Sequence, residues 1–324
     1  MKILFIFCSI FLGWANPVSL LEEFPQVEIS NGLVNAVLFL PDSTTGYYQG
    51  TRFDWSGVVK SLEYKGHSYF GQWFKKYDPK LHDAISGPVE EFGAIGYEDA
   101  KPGEKFIKIG VGALRKTMDK PYSSFTLYEV ANPGKWKIKT GKNEVIFTQQ
   151  LEDETGYAYL YKKTMQLIKG KPGLVLEHSL KNTGKHVIET SVYDHNFFLI
   201  DGELTGPNIK IKFPFELDGS GRGLGTFAEI KGKEINYTRE LKDKEDMYIG
   251  ALKGFQNDVK DYDFRIENLR SGAGVRIMGD KPLEKLVFWA CPTVSCPEPY
   301  IHIKVDPGQE FKWKINYEFY EIGK

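Results

Sequence analysis

The chain has 324 residues, 41% apolar and 26% charged, with 42 basic against 43 acidic side chains and a formal net charge of −1. That balance supports a substantial core, and without a Lys/Arg block it argues against nucleic acid or an anionic membrane as partner. Thirty-three glycines and sixteen prolines, spread along the chain, suit many turns between short strands.

The N-terminal stretch "MKILFIFCSIFLGWANPVS" places one lysine before an apolar run from Ile3 to Leu12, then small Gly13 and Ala15. This pattern predicts a cleavable export signal over residues 1–15, too short to span a bilayer. A single mature domain over 16–324 is then expected in a periplasmic or extracellular setting. Cys8 lacks the small residue expected before a lipidated cysteine, and no later stretch approaches ~18 apolar residues, so no membrane anchor is expected. Cys291 and Cys296 in "ACPTVSCPEPY" enclose a short loop; export permits a disulfide, and two reduced buried thiols are the alternative. Two cysteines without further ligands do not make a zinc site.

From there the pattern is β. "GLVNAVLFLP", "FIKIGVGALR", "FTLYEV", "EVIFTQQL", "AYLYKKTMQLI", "LVLEHSLKNTG" and "HVIETSVY" are short, rich in Val, Ile, Phe, Tyr or Thr, and bounded by Gly, Pro, Asn or Asp. The segment from "YLYKK" to "TSVY" reads as three antiparallel strands joined by "KGKPG" and "NTGK" turns. The second half continues with "NIKIKF", "YDFRIENL", "AGVRIMGD", "KLVFWA", "YIHIKV" and "EFKWKINYEFYEI". "VKSLEYKGH" fits helix or strand. Some seventeen strands without long helices imply an all-β fold, a large antiparallel sandwich or barrel with sheets wet on one face. An aromatic-lined sheet face of that kind makes an open cleft for a flat polar ligand.

Phosphate loops, G-x-S-x-G elbows and H-E-x-x-H zinc helices are absent; "GSGRGLG" lacks the lysine and reads as a turn. Three segments carry chemistry. In "YYQGTRFDWSG", the Arg52 fork can hold adjacent hydroxyls and Trp55 can offer a platform to a sugar's C–H face, while a structural Arg52–Asp54 pair is the plainer reading. "DPKLHDAISGPVEEFG" crowds His82, Asp83, Glu90 and Glu91 into an apparent loop. "SVYDHNFFLIDG" holds His195 among hydrogen-bonding groups and aromatics, and "SCPEPYIHI" fixes Glu298 between two prolines.

"LVLEHSLKNTGKHVIETSVYDHNFFLIDG" resembles the central stretch of the galactose mutarotase and aldose 1-epimerase family. "GAGVRIMGDKPLEKLVFWACPTVSCPEPY" is similar to that family's later glutamate-bearing region, and "VDPGQEFKWKINYEFY" to its terminal strand. The resemblance extends over roughly the last two thirds of the chain and implies a β-supersandwich. It also implies His195 as general acid, Glu298 as general base and Arg52 as a sugar contact, with His82 as a second site histidine. Glu91, Trp55 and Asp194 complete the candidate sugar contacts, and Asp194 or Asn196 is expected to orient the imidazole. The Gly-x-Asp-His stretch found in relatives has no counterpart over residues 240–265.

The chemistry so implied is ring opening of a mono- or oligosaccharide by paired proton transfers, needing neither metal nor cofactor and compatible with a monomer. The alternatives are a glycoside hydrolase or lyase on the same fold, using Glu90, Glu91 or Asp83 with Glu298, and a non-catalytic glycan-binding module.

Overall fold

The structure, a computed structural model, describes residues 24–323; the expected export signal over residues 1–15 lies outside them. Twenty-two strands follow one another among the described residues. The first half contains β1 (Gln26–Ser30), β2 (Val34–Phe39), β3 (Val59–Tyr64), β4 (His67–Phe70), β5 (Pro88–Phe92), β6 (Lys105–Lys108), β7 (Gly112–Arg115), β8 (Glu129–Asn132), β9 (Lys135–Thr140), β10 (Glu144–Glu152), β11 (Ala158–Leu167) and β12 (Gly173–Asn182). The second half contains β13 (Ile188–Asn196), β14 (Ile209–Lys212), β15 (Ala228–Lys231), β16 (Glu234–Tyr237), β17 (Met247–Ile249), β18 (Asp263–Asn268), β19 (Ala273–Gly279), β20 (Lys285–Ala290), β21 (Ser295–Val305) and β22 (Glu310–Glu321).

They form a ten-stranded sheet of order β15-β16-β14-β18-β19-β22-β12-β11-β10-β9, a five-stranded sheet β17-β20-β21-β13-β5, a four-stranded meander β1–β4 and a three-stranded sheet β6–β8. The ladders between these strands are antiparallel, as in β10–β11, β12–β22 and β13–β21. This is the expected all-β, layered antiparallel architecture.

Alternation decides what each sheet buries. On β12, Leu176, His178 and Leu180 point inward while Glu177 and Lys181 stay exposed. The inward residues of the long sheet, including Leu174, Val275, Ile277, Ile315 and Phe319, share one core with Val192, Ile301, Ile303, Leu286 and Phe288 of the five-stranded sheet. The opposite face of the five-stranded sheet carries Val89, Phe197 and Cys296 into a second core with Phe53, Trp55, Phe106 and Leu114. The shorter sheet thus has core on one face and, on the other, a partly covered surface that opens into a cleft.

Two segments differ from the sequence reading. "VKSLEYKGH" resolves as strand β3 turning into β4. The apparent acidic loop "SGPVEEFG" is strand β5, buried along its length and paired with β13. Two consecutive glutamates hid it, because each is neutralised by cations remote in sequence. Glu90 faces inward to Lys163 and to His178, whose Nε2 lies 2.5 Å away. Glu91 faces the cleft, where Arg52 and Lys108 meet it.

Candidate active site

The cleft on the outer face of the five-stranded sheet has a volume of about 580 Å³. Its walls include Arg52, Trp73, His82, Glu91, Phe125, Tyr193, His195, Phe197, Tyr248, Trp289, Glu298 and Tyr300. Register brings these residues together from distant segments. Tyr193 on β13 lies between Glu91 on β5 and Tyr300 on β21. On β21, Glu298 pairs with Val287 of β20 and Cys296 with Trp289.

His195 and Glu298 meet at the cleft floor, with Nε2 3.3 Å from Oε1 and exposures of only 3% and 5%. Pro297 and Pro299 sit in a strand that has neighbours on both sides, a place proline rarely occupies because it cannot donate to a ladder. The β13–β21 ladder ends at Tyr193↔Tyr300, before it reaches Glu298. Past that end, the side-chain amide of Asn196 donates to the Pro297 carbonyl at 3.1 Å, holding the two strands together beside the pair.

The imidazole is positioned by aromatic packing. Its ring stacks on Phe197 at 3.8 Å with an 8° interplanar angle, and Phe197 in turn stacks on Trp73. Phe53 and Trp289 present edge contacts, and Nδ1 is buried without a hydrogen-bond partner. Burial, and then the nearby Arg52 charge, hold the His195 pKa well below the ordinary histidine value. Burial likewise pushes the Glu298 carboxyl up to about 8, with Arg52 pulling the other way. Near neutrality the pair therefore carries one proton, on Glu298, beside a neutral imidazole.

Arg52 is held rigidly. Its Nε donates to Glu91 Oε2 at 2.7 Å and its Nη2 to the Tyr193 hydroxyl at 3.0 Å, while Tyr193 donates to the same carboxylate oxygen at 2.5 Å. Burial alone would raise the Glu91 pKa, but Lys108 and Arg52 outweigh it and keep this group ionised. Two carboxyls of one cleft are thus driven in opposite directions by their surroundings. His82 lies on the rim, 3.7 Å from Asp83 and edge-on to Phe125.

Asp194, Asn196 and Trp55 are not in the cleft, which corrects the sequence reading of them. Neighbours in a strand point to opposite faces, so Asp194 and Asn196 turn into the core, where the Tyr317 hydroxyl lies within hydrogen-bond distance of both side-chain oxygens. Neither touches the imidazole. Trp55 is buried against Trp136, its indole N–H given to the Gly50 carbonyl. Asp54 is bound to Ser56 and Tyr161 and does not pair with Arg52. Cys291 and Cys296 are free thiols.

The sequence reading also missed part of the wall. Arg222, dismissed within the turn "GSGRGLG", lines the cleft with Asp246 and Tyr248. Arg222 Nε donates to Asp246 Oδ1 at 2.7 Å, and Nη2 completes the fork. The one available signal was an acidic residue directly before a short apolar strand, in "EDMYIG".

No family model matches the chain, and no curated protein matches it in sequence. Solved structures do match in fold. An aldose epimerase homologue from C. elegans aligns with TM-score 0.55 and 14% identity over 93% of this chain and 100% of that one. A galactose mutarotase related enzyme from Lactobacillus acidophilus aligns with TM-score 0.56 and 10% identity over 92% and 100%. A galactose mutarotase-like protein from Clostridium acetobutylicum gives 0.54 and 14% over 93% and 100%. The chain has the galactose mutarotase-like fold.

Proposed function

We propose that this chain is an exported carbohydrate-active protein that interconverts sugar anomers, with His195 and Glu298 as its proton-transfer pair. The observation that carries the reading is their meeting at 3.3 Å on the floor of an aromatic-lined cleft. Mutarotation needs one proton delivered to the ring oxygen and another removed from the anomeric hydroxyl; ring closure on the other aldehyde face reverses both transfers. A pair that carries one proton can do this, because the group that donates in opening accepts in closing. His195 as acid and Glu298 as base corresponds to the imidazolium–carboxylate form, one proton shift away from the form that the protein surroundings favour. Hydroxyls of the bound sugar stabilise that charged form by solvating the carboxylate. Arg52, held through Nε and Nη2 by Glu91 and Tyr193, presents Nη1 as a fixed donor to a hydroxyl, and Trp73, Trp289 and Tyr300 offer faces to C–H groups.

Hydrolysis by Glu298 with Glu90 or Glu91 fits less well. The Glu91 oxygens are taken up by Arg52, Tyr193 and Lys108, and Glu90 faces the core with Lys163 and His178, leaving neither free to attack an anomeric carbon or activate water. The test is anomer exchange of a panel of aldoses, followed by polarimetry and by saturation-transfer NMR. Wild type accelerates exchange of at least one sugar, and Glu298→Gln or His195→Asn reduces that acceleration roughly 10²- to 10⁴-fold. Absence of acceleration across the panel refutes the reading. The export proposal predicts that protein recovered outside the cytoplasm begins near residue 16.

A further inference from the structure

We infer that the cleft carries a second saccharide subsite over Tyr248, so that its ligand is the reducing end of a neutral oligosaccharide. This deepens the anomer-exchange reading and rests on it for the placement of the first ring.

The dimensions come from the sheet. Strand order runs β17-β20-β21-β13-β5, and neighbouring strands are spaced about 4.8 Å apart. Four spacings therefore separate the Tyr248 edge from the Glu91 edge, about 19 Å. A six-membered ring built from bonds of ~1.5 Å spans about 3 Å between opposite atoms and roughly twice that with its hydroxyls. One ring seated on His195 and Glu298 covers β13 and β21. Two further spacings, about 10 Å, lie between β21 and β17 and would hold only solvent.

That extra floor is furnished for a sugar. Tyr248 pairs across the ladder with Trp289, which borders the catalytic pair, yet Tyr248 remains 43% exposed. Its ring lies over Gly250, where an added Cβ would come within 3.1 Å of a ring carbon and 3.2 Å of the hydroxyl. The backbone thus packs against the ring, and Tyr248 lines this end of the cleft. Arg222 stands over the ring at 5.9 Å from its centroid, at the outer limit of a cation–π contact.

The charges select the ligand class. The Arg222 fork engages Asp246 through Nε and Nη2, which leaves Nη1 as a donor and carboxylate lone pairs as acceptors at one place. A neutralised pair of this kind suits vicinal hydroxyls and offers no net positive charge to a phosphate or uronate. The opposite rim is more encumbered. Phe125 is 63% exposed, but the Arg52 guanidinium covers its ring at 5.0 Å and His82 abuts it. The reacting ring needs a free anomeric carbon, so the ring on Tyr248 is attached through one of the other hydroxyls.

The experiment compares glucose and galactose with maltose, cellobiose and lactose on the full-length mature protein. Anomer exchange is followed by NMR, and binding by quenching of Trp289 and Trp73 fluorescence, which needs no turnover. Wild type is expected to bind at least one disaccharide more tightly than its monosaccharide. Tyr248→Ala should lower the disaccharide-to-monosaccharide ratio, in Kd and in kcat/KM, about three- to tenfold, and Tyr248→Phe should keep it. A cooperative thermal transition in each variant separates loss of the platform from loss of the fold. A ratio unmoved by Tyr248→Ala, or no preference for any disaccharide in wild type, overturns the subsite even if anomer exchange is fast. A Tyr248-dependent preference in binding without exchange of any sugar upholds the subsite and refutes the catalytic reading.

Discussion

Replacing Glu298 by glutamine tests the buried-acid reading without requiring a substrate. The wild-type carboxyl is pushed up to about 8 by burial, against an ordinary value of 4.5. The folded state therefore binds this proton more tightly than the unfolded chain does. The group's stabilising contribution is complete below 4.5 and is lost as pH rises toward 8. About 3.5 pH units at about 1.36 kcal/mol per unit amounts to roughly 5 kcal/mol, of which about three quarters falls between pH 5 and pH 8. Glutamine keeps the shape and cannot ionise. Urea unfolding at a series of pH values should show the two proteins close together at pH 5. The variant should then become more stable than wild type by several kcal/mol at pH 8, with unchanged m-values. Comparison at each pH cancels the other titrating groups. Parallel curves for the two proteins from pH 5 to 8.5 would mean that the carboxyl is not held protonated, and the one-proton description of the pair would fail.

Activity should follow the same protons. With Glu298 up to about 8 and His195 held well below the ordinary histidine value, the exchange rate should be flat around neutrality. It should fall above about pH 8 as the pair loses its proton, and decline on the acid side only well below 6.5, as a pH series of NMR exchange rates would show. Arg52→Lys removes a fork that meets Glu91 and Tyr193 together; kcat/KM should drop about tenfold to a hundredfold, as expected for lost charged hydrogen bonds. Lys163→Met leaves buried Glu90 with only His178 as partner and should cost about 3–5 kcal/mol in urea unfolding. Adding Glu90→Gln should recover much of that loss.

The β class was legible because turn residues and period-two alternation recur throughout, as in Lys210, Ile211 and Lys212, which emerge as a strand alternating half-buried and buried residues. The His195–Glu298 juxtaposition was approached through local oddities, a histidine amid aromatics and a glutamate between prolines. What places them side by side is the pairing of β13 with β21, and strand order is not written in either segment. The same limit hid Arg222, Asp246 and Tyr248, which enter the cleft because β17 closes the sheet beyond β20.

The misassignments share one physical cause. Proximity in sequence suggests shared function, whereas in a strand it guarantees separation by the thickness of the sheet. "DHN" and "EE" look like clusters, yet each is divided between two environments. His195 and Glu91 face the cleft, while Asp194, Asn196 and Glu90 face a dry interior where Tyr317, Lys163 and His178 compensate them. That interior bears directly on the chemistry. Burial, followed by the charge of Glu90, pushes the Asp194 carboxyl up to about 7, while Tyr317 and Lys163 pull it down. With Lys163 charged against Glu90, little net charge is left beneath the cleft floor. The charge acting on His195 is then chiefly that of Arg52 on its own side of the sheet, so substitutions beneath the floor should alter stability far more than the pH dependence of the pair.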